Sequence, residues 1–427
     1  MKVLFVSAGY VPGPMSSDKA FVRDLIRAFS ADVSSAIWTI NDWPRVRLVE
    51  DIGHAQVPVY TTPRAFHRLR ESRDTIAAGA FVYRRHSAHG RFRQVIELAS
   101  SILLRLPYLR AVVQSEKPDI VHFTDNFGPS LPLVRRAIRG VRMTCTRVGV
   151  GTGGIEALGY RAFLRVSATG CDLNICTTNA CAERLVSAGV GARHVRVVPW
   201  GVRMHGLNPP DPATLARVRR RYDCRPGELL TVVSPQALTG LSQGGTGFRT
   251  TVSEAKQMAE RFNMRCVVAV KPDHWDSSML RQATRRVVIE KGPPDFENLL
   301  WAADFMFSPT YDRFRKATAT PPLAWLEAMA RNTALITTEG YGVGETVHDG
   351  EDGVLYRNTR ELLTKLERVL QKGGSLEDMK SRARQSIVAR HDIDTIAPRY
   401  EELWRSLMAG GPSVATVPGL ESEGRLC

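Results

Sequence analysis

Short apolar, β-branched runs recur along this chain, each followed by a Gly, Pro or polar turn and then by a stretch with apolar residues three or four positions apart. That alternation predicts strands and helices in turn, and so a parallel sheet wound on both faces. The strands it predicts are first Val3–Ser7, Ile120–Phe123, Met143–Val148, Leu173–Thr177 and Val195–Pro199. A second set follows at Leu229–Ser234, Cys266–Val270, Val287–Glu290, Phe305–Ser308, Ala334–Thr338 and Val354–Tyr356. Between the sets, NPPDPATLARVRRRYDC reads as a linker running into a helix. The organisation expected is therefore a first domain over 1–203 and a second over 204–394. A helix over 395–408 crosses back onto the first, and the Gly-, Pro- and Ser-rich tail 409–427 is disordered. A chain of 427 residues with 43% apolar content has enough to build two cores. In open sheets of this kind ligands gather at the carboxyl ends of strands, so the loops that follow them are where function is expected.

The segment from Thr320 to Tyr356 carries the most information. Pro321 and Pro322 open a helix whose Leu323, Leu326, Met329 and Ala330 share a face, and Glu327 lies on that helix. A strand, Ala334–Thr338, follows, and then a turn with Gly340, Gly342 and Gly344. A carboxylate beside an apolar face needs hydrogen-bond donors, and vicinal ribose hydroxyls supply them. The competing reading is a capping or ion-paired helix glutamate.

This segment resembles the donor-nucleotide half of retaining GT-B glycosyltransferases of the family 4 type. Leu326-Glu327-Ala328-Met329-Ala330 matches the family's helix, and Gly344-Glu345 through Asp349-Gly350, with Gly353, matches its glycine turn. Weaker likeness runs through MKVLFVSAGYVPGP, KPDIVHFTDNFG, ICTTNACAERLVSAGVGARHVRVVPWGV and LLWAADFMFSPT. The resemblance implies two Rossmann-like doubly wound α/β domains facing a cleft, with Glu327 on the ribose of a UDP- or GDP-sugar. It also implies front-face transfer to a hydroxyl acceptor with retention and without a metal or other cofactor. Two positions depart from the pattern. Ala319 stands where the family's first glutamate contacts the sugar, and PQALTGLSQGGTG, after strand Leu229–Ser234, lacks the arginine and lysine that hold the donor diphosphate.

Substitutes for that basic pair are Lys271 at the end of strand Cys266–Val270, Arg249 at the start of helix Arg249–Phe262, and Arg315 and Lys316 ahead of the Glu327 helix. Gly13 after the first strand, and Gly244 with Gly245 ahead of Arg249, are candidate cradles for phosphate, because glycine lets backbone N–H groups approach an anion. Asp125, three residues after His122, ends a strand and is a candidate for binding an acceptor hydroxyl or acting as a base; an Asx turn with Asn126 is the alternative. Arg147 ends the next strand. Cys171, Cys176 and Cys181 match no common zinc spacing and read as core thiols, and Asp392 and Asp394 read as helix-start chemistry.

The formal charge is +15, most of it in the first 200 residues. Eight arginines from Arg64 to Arg93, interleaved with Phe66, Phe81, Tyr83 and Phe92, suit an anionic membrane surface, a phosphorylated acceptor or simply a solvated face. No nucleic-acid reader motif accompanies the charge, so nucleic acid is not expected as a partner. With no run of 18 uncharged apolar residues and no signal-peptide stretch, the expected location is cytoplasmic, with peripheral attachment to the inner face of the membrane through Arg64–Arg93. The expected function is a glycosyltransferase acting on a lipid-linked or small-molecule hydroxyl. The alternatives are a catalytically impaired module of the same fold acting as a partner or regulator, and transfer onto a nucleic-acid base.

Overall fold

The computed structural model describes residues 1–7, 10, 17–42, 47–62, 105–124, 130–147, 158–234, 246–270, 277–310, 321–371 and 375–410. The chain divides into two compact units. Among the described residues, the first comprises those up to Gly201 together with Ile393 onward, and the second those from Val202 to Asp392.

The first unit holds eight strands: β1 (Lys2–Ser7), β2 (Ser34–Asp42), β3 (Arg47–Ile52), β4 (Ala55–Thr62), β5 (Ile120–Phe123), β6 (Arg142–Arg147), β7 (Leu173–Cys176) and β8 (Val195–Val197). They form one sheet in the order β3-β4-β2-β1-β5-β6-β7-β8. All neighbours are parallel except β3 and β4, which pair antiparallel at the edge. The parallel expectation thus needs correcting at this edge. Residues 47–62 form a hairpin, and Gly53 takes a left-handed φ of +63° within it, a conformation that glycine adopts without strain. Helix Ile393–Met408 packs on helix Ser17–Ala28 within this unit, burying Ile396, Tyr400 and Trp404. Tyr400 and Trp404 join Phe5, Phe29 and His122 in one aromatic cluster with edge-on contacts.

The second unit holds β9 (Leu229–Val233), β10 (Met264–Val270), β11 (Val287–Lys291), β12 (Phe305–Phe307), β13 (Ala334–Thr338) and β14 (Gly353–Tyr356). Their order is β11-β10-β9-β12-β13-β14, every pair parallel. Strands buried on both faces read as unbroken apolar runs, as Met264–Val270 does, with all seven of its residues buried. In both sheets the order reverses direction beside the first strand, between β1 and β5 and between β9 and β12. These switch points are where ligands of doubly wound sheets bind, outside the carboxyl ends.

Candidate donor site at the carboxyl edge of the second sheet

At the switch point of the second sheet the strands end in hydroxyls. Ser234 and Ser308 follow β9 and β12, both buried, and their N–H groups continue the ladder to the carbonyls of Phe307 and Ile336 at 2.9 Å each. Trp325 Nε1 donates to Ser308 Oγ at 2.6 Å, and Thr337 Oγ1 donates to the Ser308 carbonyl at 2.8 Å. Thr338 Oγ1, at the end of β13, accepts from Thr310 N at 3.0 Å. These side chains satisfy backbone groups that a strand leaves unpaired where it ends, and so fix the edge on which a ligand would rest. The sequence signal was the pair of strand ends FSPT and ITTE, which sequence reasoning passed over.

Helix Leu323–Ala330 follows, with Pro322 as its N-cap. Leu323, Trp325, Leu326, Ala328, Met329 and Ala330 are buried, leaving Ala324 and Glu327 as the partly accessible positions. These two are three residues apart and therefore share one stripe. A helix otherwise buried all round presents its single carboxylate on that stripe. Arg331, which ends the helix, donates from NH1 to the Glu327 carbonyl at 3.0 Å and directs NH2 toward Glu297 at 3.6 Å.

The glycine turn beyond β13 is shaped by sterics. Gly342 has φ +79° and Gly350 φ +76°, and a Cβ on Gly353 would lie 2.6 Å from Val347 Cγ1 and 2.7 Å from the Leu335 carbonyl oxygen. Its acids are engaged internally. Asp349 accepts from Leu355 N at 2.9 Å and from Lys365 Nζ at 2.7 Å. Asp352, buried, accepts from His348 N at 2.6 Å and meets His348 Nδ1 at 3.0 Å. The carbonyl of Glu345 accepts from Arg390 at 3.2 Å.

Among the residues singled out from sequence, Arg249 is exposed on the first turn of helix Thr246–Arg261. Asp125, Lys271, Gly13, Gly244, Gly245, Arg315 and Lys316 lie outside the described residues, as do Ala319, the Arg64–Arg93 segment and the tail beyond residue 410.

The first unit uses its polar strand residues differently. His122 on β5 is fully buried, its ring nitrogens 2.8 Å from Thr144 Oγ1 and 3.0 Å from Thr146 Oγ1, and burial lowers its pKa to about 3. Arg147 at the end of β6 is 2% exposed. Its Nε donates to Asn174 Oδ1 at 2.8 Å, NH1 to Ser167 Oγ at 2.8 Å and NH2 to the Ser167 carbonyl at 3.0 Å. Cys145, Cys171, Cys176 and Cys181 are buried and form no disulfides among the described residues, and burial pushes the Cys176 thiol well up, which keeps it a neutral, unreactive core group. Sequence reasoning missed a further group here. Tyr10, just after β1, donates to Glu50 Oε2 at 2.7 Å, and the buried Lys19 Nζ lies 3.7 Å from Glu50 Oε1 and 5.3 Å from the centre of the Tyr10 ring. Burial first, and then Glu50, raises the Tyr10 pKa. No local pattern marks Lys19, which lies on helix Ser17–Ala28, because its partner Glu50 comes from β3, about thirty residues further on.

Among the described residues no group of three His, Cys, Asp or Glu is arranged to hold a metal ion, and no helix is long and apolar enough to cross a membrane.

Comparison with known proteins agrees with this architecture. The family model described as Glycosyltransferase Family 4 matches residues 52–205, and that described as Glycosyl transferases group 1 matches residues 240–372, together more than half of the chain. Among curated proteins none matches. Among solved structures, sucrose-phosphate synthase from Thermosynechococcus elongatus is similar at TM-score 0.71 and 15% identity, over 96% of this chain and 100% of that one. HepE of Anabaena in complex with UDP is similar at TM-score 0.63 and 14% identity, over 95% and 100%. The trehalose-6-phosphate synthase OtsA gives TM-score 0.68 and 12% identity, over 95% and 99%. At such identities the structural likeness speaks for the fold, and the family models speak for the lineage. Two Rossmann-like sheets, the glycine turn with its preceding glutamate helix, and matches in both halves place the chain in the GT-B glycosyltransferases of the family 4, group 1 kind.

Proposed function

We propose that this protein transfers a sugar from a UDP-sugar to a hydroxyl acceptor, with Glu327 accepting hydrogen bonds from the ribose hydroxyls of the donor. The observation that carries this reading is the position of Glu327, the one acid on the partly accessible stripe of an otherwise buried helix, next to the switch point of the second sheet. The structures of HepE with UDP and with UDP-glucose favour uridine over guanosine in the donor. In this reading Arg249, Lys271, Arg315 and Lys316 stabilise the departing diphosphate, with Gly13, Gly244 and Gly245 lending backbone N–H groups. Asp125 binds the acceptor hydroxyl. The diphosphate takes up the acceptor proton, configuration is retained, and no metal is required. Arg64–Arg93 would bring the protein to an anionic membrane carrying a lipid-linked acceptor.

Ala319 and the absence of an arginine and lysine in residues 235–247 favour a second reading, a module that binds nucleotide without turnover. Incubation with a panel of UDP- and GDP-sugars, scored both by thermal shift and by release of free nucleoside diphosphate, separates the two. A UDP-sugar that stabilises the protein and is consumed in the presence of a hydroxyl acceptor supports transfer. Stabilisation without turnover for any acceptor supports the second reading, and no shift with any nucleotide sugar overturns both.

A further inference from the structure

The amino edge of the second sheet, opposite the candidate donor site, holds a cavity of about 410 Å³. Its walls come from the end of helix Pro212–Arg221, the loop into β9, the start of β10 and the loop ahead of β11. Four arginines line it, Arg220, Arg225, Arg265 and Arg285, with Asp223 and Cys224.

The pairing of arginines in this neighbourhood is selective. Arg219 meets Asp304 at 3.3 Å, Arg221 meets Glu290 at 2.7 Å and Arg286 lies 3.6 Å from Glu228. None of these three lines the cavity. Among the described residues, the side chains of Arg220, Arg225 and Arg285 have no ion pair or hydrogen bond. Arg265 is 6% exposed; its terminal nitrogens donate to the backbone carbonyls of Arg285 and, at 2.8 Å, Asp223, while its Nε has no partner. It is therefore a nearly buried cation with no bonded carboxylate. Two acids stand in this neighbourhood: Asp223, exposed in a left-handed turn at φ 50°, and Glu228, which accepts from Arg225 N at 2.8 Å and whose pKa is lowered by that bond and by the charges of Arg265, Arg286 and Arg225. Four guanidiniums line the cavity against one lining carboxylate, Asp223, with Glu228 shared among Arg225, Arg265 and Arg286, and this excess focuses a positive potential into the concavity.

We propose that this cavity is a second anion site, which takes a small phosphorylated metabolite and is separate from the donor site. Guanidinium forks match phosphate oxygens in pairs, and the volume suits a small molecule. The seven residues of β10, from Met264 to Val270, set the cavity about 20 Å from the carboxyl edge, too far for one diphosphate to reach both. The inference does not depend on the function proposed above.

Inorganic pyrophosphate is the probe, titrated calorimetrically into the full-length protein with and without saturating UDP. The variant is Arg225→Ala with Arg285→Ala, two exposed side chains without bonded partners, whose loss should leave the circular dichroism and melting temperature unchanged. The expected result is pyrophosphate binding that persists under saturating UDP and weakens at least tenfold in the double variant, while UDP binding stays as in the wild type. Equal binding in wild type and variant, full displacement by UDP, or no binding overturns the proposal. So does retention on DNA or anionic vesicles that the double variant abolishes and pyrophosphate does not compete away, since the arginines would then serve a macromolecular surface.

Discussion

The carboxyl edges of the two sheets are built on the same topology and treat their polar residues in opposite ways. In the first unit His122 and Arg147 are closed in by Thr144, Thr146, Asn174 and Ser167, with every ring or guanidinium nitrogen of the two provided with a partner. In the second unit the hydroxyls of Ser308 and Thr338 lock the edge while Glu327 keeps to the one partly accessible stripe of its helix. A conspicuous polar residue at a strand end is thus a structural group when neighbouring strands complete its hydrogen bonds. It is a candidate ligand when the fold leaves it a route to solvent. Burial decides, not residue type.

The contrast predicts how each region fails. The largest effect should come from Arg147→Met, which leaves Asn174 Oδ1 and the Ser167 groups buried without their donor and should destabilise the first unit by about 2–4 kcal/mol in urea unfolding. Loss of turnover at unchanged stability would instead assign Arg147 to chemistry. Next is the titration of His122. It is neutral in the fold, with a pKa near 3 against 6.5 when unfolded, so below pH 6.5 the unfolded chain takes up a proton that the folded one does not. Stability should be level in this respect above pH 6.5 and fall as pH drops toward 3, by about 2 kcal/mol at pH 5. Comparing urea midpoints at pH 7 and pH 5 for wild type and His122→Gln isolates that contribution; identical pH slopes would contradict it. The smallest effect is expected at Arg249. Its exposed side chain should contribute to diphosphate binding alone, so Arg249→Met should weaken UDP about tenfold and leave uridine unchanged. Equal weakening of both would remove Arg249 from the diphosphate site.

Much of this division was written in the sequence, for physical reasons that differ by segment. Strands such as LLTVV and ALITT are buried on both faces and stand out as unbroken runs. Glu327 stood out because it is the one acid amid apolar helix positions. Strands β2 to β4 escaped notice: RLVEDI lies at the sheet edge with alternating exposure, and its charged residues mask its extended form. Helix Ile393–Met408 begins two residues before the expected residue 395, with Asp394 in its first turn. The partners of Arg147 lie 20 and 27 residues away on other elements, and the arginine cavity joins residues 220 to 285. Arrangements of that kind exist only after the chain has folded.

The central claim is that Glu327 reads the ribose of the donor, and it is tested most directly by calorimetric titration of UDP and 2′,3′-dideoxyuridine diphosphate into wild type and Glu327→Ala. The account predicts that the wild type prefers UDP by about ten- to a hundredfold, the worth of hydrogen bonds to a carboxylate, and that the variant binds the two nucleotides equally with an unchanged melting temperature in the absence of ligand. A wild type indifferent to the ribose hydroxyls, or a variant that keeps the full preference, would contradict it.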